Sequence, residues 1–230
     1  GLTGVALALH FASWFESLNH TSVAASVTLV QSQPLFVALG AWALLDERLT
    51  RRMVAGILVA LFGAAAMSLG DPVLAALGIG SAGGLAGTST YGNALALVGA
   101  LCYAAYVLAG RSLRQRVSLV PYVVVVYVAC SVVLLATAVA QGAPLVDYPR
   151  REWLLFLGMA VGPGIFGHTV INWALAHIES GVVSVSLLGE PVGSTLLAML
   201  LLPGEIPTPT TIAGGAVVLL GIYVTAEARP

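Results

Sequence analysis

Apolar residues run along this chain in long blocks, and the charged residues fall almost entirely between the blocks. Met53–Gly70 is an uncharged run of 18 residues, Val117–Val146 one of 30 and Ile206–Ala226 one of 21. Trp153–Ile178 holds 26 residues with two histidines but no acid or arginine. A helix needs roughly 20 apolar residues to cross the hydrocarbon of a bilayer, and backbone groups cannot stay unpaired there. Barrel strands alternate polar and apolar residues, which these runs do not. The pattern predicts eight helical spans near 2–18, 22–45, 53–70, 92–110, 119–140, 153–177, 181–202 and 211–227. Between the third and fourth, Gly78, Gly80, Gly83, Gly84 and Gly87 with Ser81, Ser89 and Thr90 make a poor helix. Residues 71–92 therefore read as a flexible connector on the extracytoplasmic side, separating a three-helix unit, 1–70, from a five-helix unit, 93–230.

Composition narrows the class. Of the 230 residues, 59% are hydrophobic and 8% charged, with a mean hydropathy of +0.98. Soluble domains carry about 25% charge, so a soluble globule, a disordered chain and a disulfide scaffold are all disfavoured. The expected class is all-α and polytopic in the membrane. The net charge of −1 gives no basic footprint for nucleic acid. Cys102 and Cys130 sit in apolar runs and suggest neither a disulfide framework nor a metal cluster. No cofactor is expected.

All nine cations are arginines. Alternating spans put Arg48, Arg51, Arg52, Arg111, Arg114, Arg116 and Arg229 on one side, and Arg150 and Arg151 on the other. Positive charge collects on the cytoplasmic side, so the C-terminus is expected inside, in the cell membrane of a multi-pass protein.

The chain also repeats itself. At an offset of 157, Leu18, His20 and Pro34 match Leu175, His177 and Pro191; Leu39, Ala41, Leu44 and Leu45 match Leu196, Ala198, Leu201 and Leu202. At an offset of 158, Glu47 and Thr50 match Glu205 and Thr208. Ala55, Gly56, Val59, Leu61 and Gly63 then match Ala213, Gly214, Val217, Leu219 and Gly221. Five spans per copy is an odd number, so the second copy must enter from the opposite side, the inverted-repeat architecture of many secondary transporters. Matching the first copy to the second leaves room for two spans ahead of Gly1, about 65 residues by this offset. The expectation is a ten-span protein of which eight spans are present.

The run Leu18–Asn19–His20–Thr21–Ser22, Pro34, Leu44–Leu45–Asp46–Glu47–Arg48–Leu49–Thr50, Gly56 and Gly63 carries a family resemblance, as does the second copy's Glu190–Pro191, Gly204–Glu205, Gly214 and Gly221. The chain resembles the EamA-type transporters of the drug/metabolite transporter superfamily. That resemblance implies ten helices in two inverted five-helix repeats and the export or uptake of small metabolites.

Glu190 is the one acid predicted well inside a span, roughly ten residues from either end and about 15 Å deep. A charge at that depth costs roughly 2.5–3.5 kcal/mol on insertion scales, so it must face protein or water. Ser186 and Ser194 lie four residues to either side on the same face. This stripe suits a substrate or proton site; a protonated carboxyl used for packing is the alternative. Pro191 deprives the Leu187 carbonyl of its helical donor, and Pro34 does the same to Val30, next to Gln33, the repeat partner of Glu190. Paired breaks at matching positions point to a transport site. His168 and Asn172 share a helix face just after Gly162–Pro163–Gly164, where Pro163 should bend or break the helix. Tyr103, Tyr106 and Tyr127 suit either a cavity lining or packing, and His10, Ser13 and Trp14 form a weaker cluster. His20, Glu179, Glu47 and Glu205 fall at span ends and read as solvated or capping groups.

The favoured function is secondary transport of small amino-acid-like or drug-like solutes by alternating access about Glu190 and Gln33. The partners are the solute, the bilayer and a coupling proton; a homodimer stays open. There is no nucleotide-binding Gly-x4-Gly-Lys-[Ser/Thr] loop and no lysine. An intramembrane enzyme would need a motif such as Gly-x-Ser-x-Gly or His-Glu-x-x-His, neither of which occurs. A membrane scaffold without transport activity leaves Glu190 unexplained.

Overall fold

The computed structural model describes residues 1–21, 23–76, 90–201 and 207–227. Among these there are helices and no strand. The helices are α1 (Leu2–His20), α2 (Val23–Val30), α3 (Gln33–Leu44), α4 (Arg51–Ala76), α5 (Thr90–Arg114), α6 (Leu119–Ala140), α7 (Arg150–Met159), α8 (His168–Ala174), α9 (Ser180–Ser186), α10 (Glu190–Leu201) and α11 (Pro209–Ala226). Three pairs run on as single broken rods. A turn at Gln31–Ser32 joins α2 to α3, a π-helical segment Ala160–Gly167 joins α7 to α8, and a 3-10 turn Leu187–Gly189 joins α9 to α10. The result is the eight rods that the hydrophobic blocks predict, and six of them are long and apolar enough to cross a membrane. The other two, α1 and α4, lie against α5 and α11 respectively, so helices rather than lipid cover much of their surface.

The connector is shorter than predicted. Asp71–Ala76 continues α4 and Thr90–Gly92 already belongs to α5, leaving 77–89 outside the described residues. The loop expected at Arg111–Arg116 also recedes, because α5 runs on to Arg114. Arg111 and Arg114 are bound at helix ends rather than solvated: Arg114 is buried, and its Nε donates to the Asn172 carbonyl at 2.9 Å.

Two clusters fill the bundle. One gathers Leu7, Tyr103, Tyr106, Val107, Tyr122, Val126 and Leu175 between α1, α5 and α6; the other gathers Ala38, Met53, Ile57, Ala60, Val185, Leu188 and Val218 between α3, α4, α9 and α11. Within lipid, apolar burial gives helices little reason to associate, so close approach of small residues does much of that work.

The α4–α11 seam shows this most clearly. A Cβ on Gly63 would lie 2.6 Å from the Val218 nitrogen and 2.7 Å from the Gly214 carbonyl oxygen. A Cβ on Gly221 would strike the Ala60 nitrogen and lie 2.6 Å from the Gly56 carbonyl oxygen. The repeat pairs Gly63 with Gly221, Val218 with Ala60 and Gly214 with Gly56, so each contact is the other with the copies exchanged. Gly56 meets Gly221 while Gly63 meets Gly214, which makes the two helices antiparallel. The operation that swaps them is a two-fold across the helix axes, and it turns one copy upside down. The odd number of spans demanded the same inversion.

Ion pairs fix which loops share an end. Arg111 Nε meets Glu47 Oε1 at 2.9 Å, and Arg52 meets Glu227 Oε2 at 2.6 Å. The α3–α4 loop, the end of α5 and the segment after α11 therefore lie together, as alternating spans require. Hydrogen bonds from Tyr223 and from Arg52 hold the Glu227 carboxyl below the usual carboxylate range. At the opposite end the Thr21 hydroxyl donates to Asn93 Oδ1 at 2.8 Å, and the His20 and Tyr91 rings lie 5.0 Å apart.

Candidate functional site

The repeat-matched prolines do what their chemistry dictates. Pro34 follows the Gln31–Ser32 turn at the start of α3, and Pro191 follows the Leu187–Gly189 turn at the start of α10. Residues 31 and 32 map onto 188 and 189 at the offset of 157, so both copies break at the same place. Pro163 behaves differently. It sits inside a continuous rod and widens it into a π-helical segment instead of ending it. A proline cannot donate to the preceding turn, and a wider turn relieves the clash of its ring with the carbonyl four residues back. The first residue after that segment is His168.

His168 and Asn172, which share a helix face, are joined by Tyr106 from α5. Asn172 Nδ2 donates to the Tyr106 hydroxyl at 2.6 Å and to the His168 carbonyl at 2.7 Å. The Tyr106 hydroxyl, accepting that hydrogen bond, donates its own proton onward in one to His168 Nδ1 at 3.3 Å. His168 Nδ1 is then an acceptor, which leaves the ring proton on Nε2. Tyr106 and Asn172 are fully buried, and Asn172 Oδ1 has no hydrogen-bond partner among the described residues. We expect Tyr106→Phe to lower stability by about 1–3 kcal/mol, because it strips a buried acceptor from Asn172 and a donor from His168. Thermal unfolding in detergent measures this, and a midpoint equal to the parent's would contradict the chain of bonds.

The sequence undervalued His10 and Tyr103. His10 Nδ1 donates to the Gly99 carbonyl at 2.9 Å, leaving Nε2 as the acceptor of a neutral ring. The Tyr103 ring lies between the two histidines, 4.8 Å from His10 and 6.3 Å from His168 by centroids, with Phe11 5.6 Å from His168. The histidines therefore offer opposite polarity, an acceptor from the first copy and a donor from the second, beside aromatic rings packed edge-on and tilted against them. Tyr127 packs against the same cluster, its hydroxyl 2.9 Å from Thr169 Oγ1.

Glu190 is placed differently from expectation. It is exposed at the head of α10, directly after the helix break and not deep within a covered span, and Ser186 just before the 3-10 turn is exposed too. Ser186 donates to the Val182 carbonyl at 2.8 Å. No described helix covers this face. Glu190 nevertheless lies within electrostatic reach of Tyr103. It has no ion pair among the described residues. Gln33 is buried on α3 with Oε1 unpartnered, and no described hydrogen bond joins it to Glu190. The Ser194 side chain lies outside the described residues.

Glu47 is the largest departure. Predicted as a solvated span-end acid, it is almost enclosed, with its side chain 10% exposed, and it accepts from three groups on two helices. Its partners are 64 and 133 residues away, so no local signal marks it. A hollow of about 520 Å³ on the flank between α3 and α5 is lined by Phe36, Leu39, Leu101 and Leu108, an apolar surface suited to acyl chains rather than polar solutes.

Inverted halves, breaks at matching depths and a polar cluster between the copies define a polytopic membrane protein of the transporter type. The chain belongs to the EamA-like transporter family, whose pattern it matches over residues 1–69 and 90–226. It is 30% identical to an uncharacterized transporter of Archaeoglobus fulgidus, over all of this chain and 76% of that protein. A crystal structure of another protein superposes with a TM-score of 0.78 at 23% identity, covering 98% of this chain and 75% of that one, a likeness of fold.

Proposed function

We propose that the protein is a secondary transporter that moves small amino-acid-like or drug-like solutes by alternating access, with His10, Tyr103, Tyr106, His168, Asn172 and Glu190 at the site. The observation that carries this reading is the pair of helix breaks at equivalent positions of two inverted copies, with an acid at one of them that has no counter-charge among the described residues. An unpaired acid at a helix break in the membrane needs a partner, and a proton or a cationic group of the solute supplies one. The aromatic faces suit the apolar body of such a solute, and Asn172 Oδ1, His168 Nε2 and His10 Nε2 suit its polar groups. The arginine-rich end faces the cytoplasm in this reading, in keeping with the bias of positive charge, and the protein lies in the cell membrane. Vesicles holding the full-length protein, offered a pool of small metabolites under an imposed pH gradient, are expected to move at least one of them. Flux equal to that of empty vesicles for every solute would overturn the proposal.

A further inference from the structure

We propose that Glu47, Arg111 and Ser180 form a latch that closes the arginine-rich end of the solute path and parts when that end opens, an inference that rests on the transport reading above. Glu47 lies in the loop after α3, in the first copy; Arg111 ends α5 and Ser180 begins α9, both in the second. Glu47 Oε1 accepts from Arg111 Nε at 2.9 Å, and Oε2 accepts from the Ser180 amide at 3.1 Å and its hydroxyl at 2.8 Å. Arg111 also donates from Nη1 to the Leu175 carbonyl just past α8, at 3.0 Å. One carboxylate and one guanidinium thus join α3, α5, α8 and α9 at a single end of the bundle.

Those are the rods that carry the candidate site. Gln33 is on α3, Tyr103 and Tyr106 on α5, His168 and Asn172 on α8, and Glu190 follows α9 across the 3-10 turn. Opening a path from this end to the site requires the ends of these rods to separate, and the latch spans that separation. Leu175 and Ser180 in the latch, and Ser184 one turn inside it, have no exposed surface, so the end is shut in this structure. The bonds that shut it are polar, and those of Glu47 cross from one copy to the other. Arg111 keeps 22% of its side-chain surface in solvent, so water can replace its bonds one at a time. A seam of interlocked apolar side chains would have to come apart as a block, whereas a polar latch at the mouth of a path can exchange with water as it opens.

The test uses the full-length protein with Cys102→Ala and Cys130→Ala, carrying Ser184→Cys as a reporter one turn inside the latch. In vesicles, a membrane-impermeant maleimide is added from the arginine-rich side, which a separate Ser118→Cys protein identifies. Labelling of the reporter is expected to be slow, and Glu47→Gln or Arg111→Gln is expected to speed it at least fivefold, with the detergent melting midpoint of each variant still sharp. In a second arm, Glu47→Cys with Ser180→Cys, joined by a short bifunctional thiosulfonate, is expected to hold labelling at the slow rate and to stop flux until a reductant is added. Unchanged labelling in both Gln variants, or flux that continues through the cross-link, overturns the latch. Labelling needs no transported solute: faster labelling in a protein that carries nothing would retain the latch and remove the transport reading.

Discussion

Gly221→Leu is expected to destroy the fold in the membrane, and Gly63→Leu to do the same. A Cβ at Gly221 meets the Ala60 backbone, and a Cβ at Gly63 meets the Val218 backbone, so the obstruction is main chain that cannot rotate away. Overpacking a core costs about 1–3 kcal/mol when side chains can yield; here the helices must separate, so the expected loss is about 3 kcal/mol or more. For a chain of this length that corresponds to roughly 6–12 °C in melting midpoint, or to failure to yield a monodisperse protein. The two positions are repeat partners, so the two variants should suffer alike. Gly158→Ala is the control, since nothing lies within 4 Å of its Cβ position. Parent-like melting for both leucine variants would mean that the seam, and the two-fold drawn from it, is wrong.

Glu190→Gln is expected to cut solute flux at least tenfold and to flatten its dependence on the pH gradient, while leaving the melting midpoint within about 1 °C. Glutamine keeps the shape of the side chain and removes its charge and its capacity to take up a proton. Glu190 has no ion pair among the described residues, so the change should break no structural bond. Equal flux with equal gradient dependence would take Glu190 out of the mechanism.

Much of the architecture follows from local rules and is readable in the sequence. The rod of α6 runs Leu119–Ala140, as its apolar block predicts, because Ser118 and Gln141 bracket an uninterrupted run. The breaks at Pro34 and Pro191 are legible because a missing N–H acts on its own turn, whatever the tertiary context. The overrun of α4 past Asp71 is not: Gly70–Asp71–Pro72 carries stop signals, yet the helix continues to Ala76. The π-helical accommodation of Pro163 was hidden for a related reason, since proline states that a hydrogen bond is lost but not whether the rod ends or widens.

The site divides along the same line. His168 and Asn172 announce themselves by helical spacing, and Tyr106 joins them through bonds that only the fold creates. His10 reads as part of a weaker cluster with Ser13 and Trp14, and Tyr103 as cavity lining or packing, because the contact that joins the two runs between α1 and α5. Glu47 looked like an interface residue because its value lies wholly in partners from the other copy. Local chemistry marks where a helix must bend; contacts between copies are invisible until the copies are placed.

The central claim is that the face bearing Ser186 and Glu190 lines a path open to water rather than to lipid. The most direct measurement is thiol labelling of a Ser186→Cys protein, in the background lacking Cys102 and Cys130, reconstituted in sealed vesicles. Reaction with a membrane-impermeant maleimide, and protection from it by a transported solute, is the predicted result. Reaction only with a lipid-soluble maleimide, from neither aqueous side, would put Glu190 among the acyl chains and contradict the account.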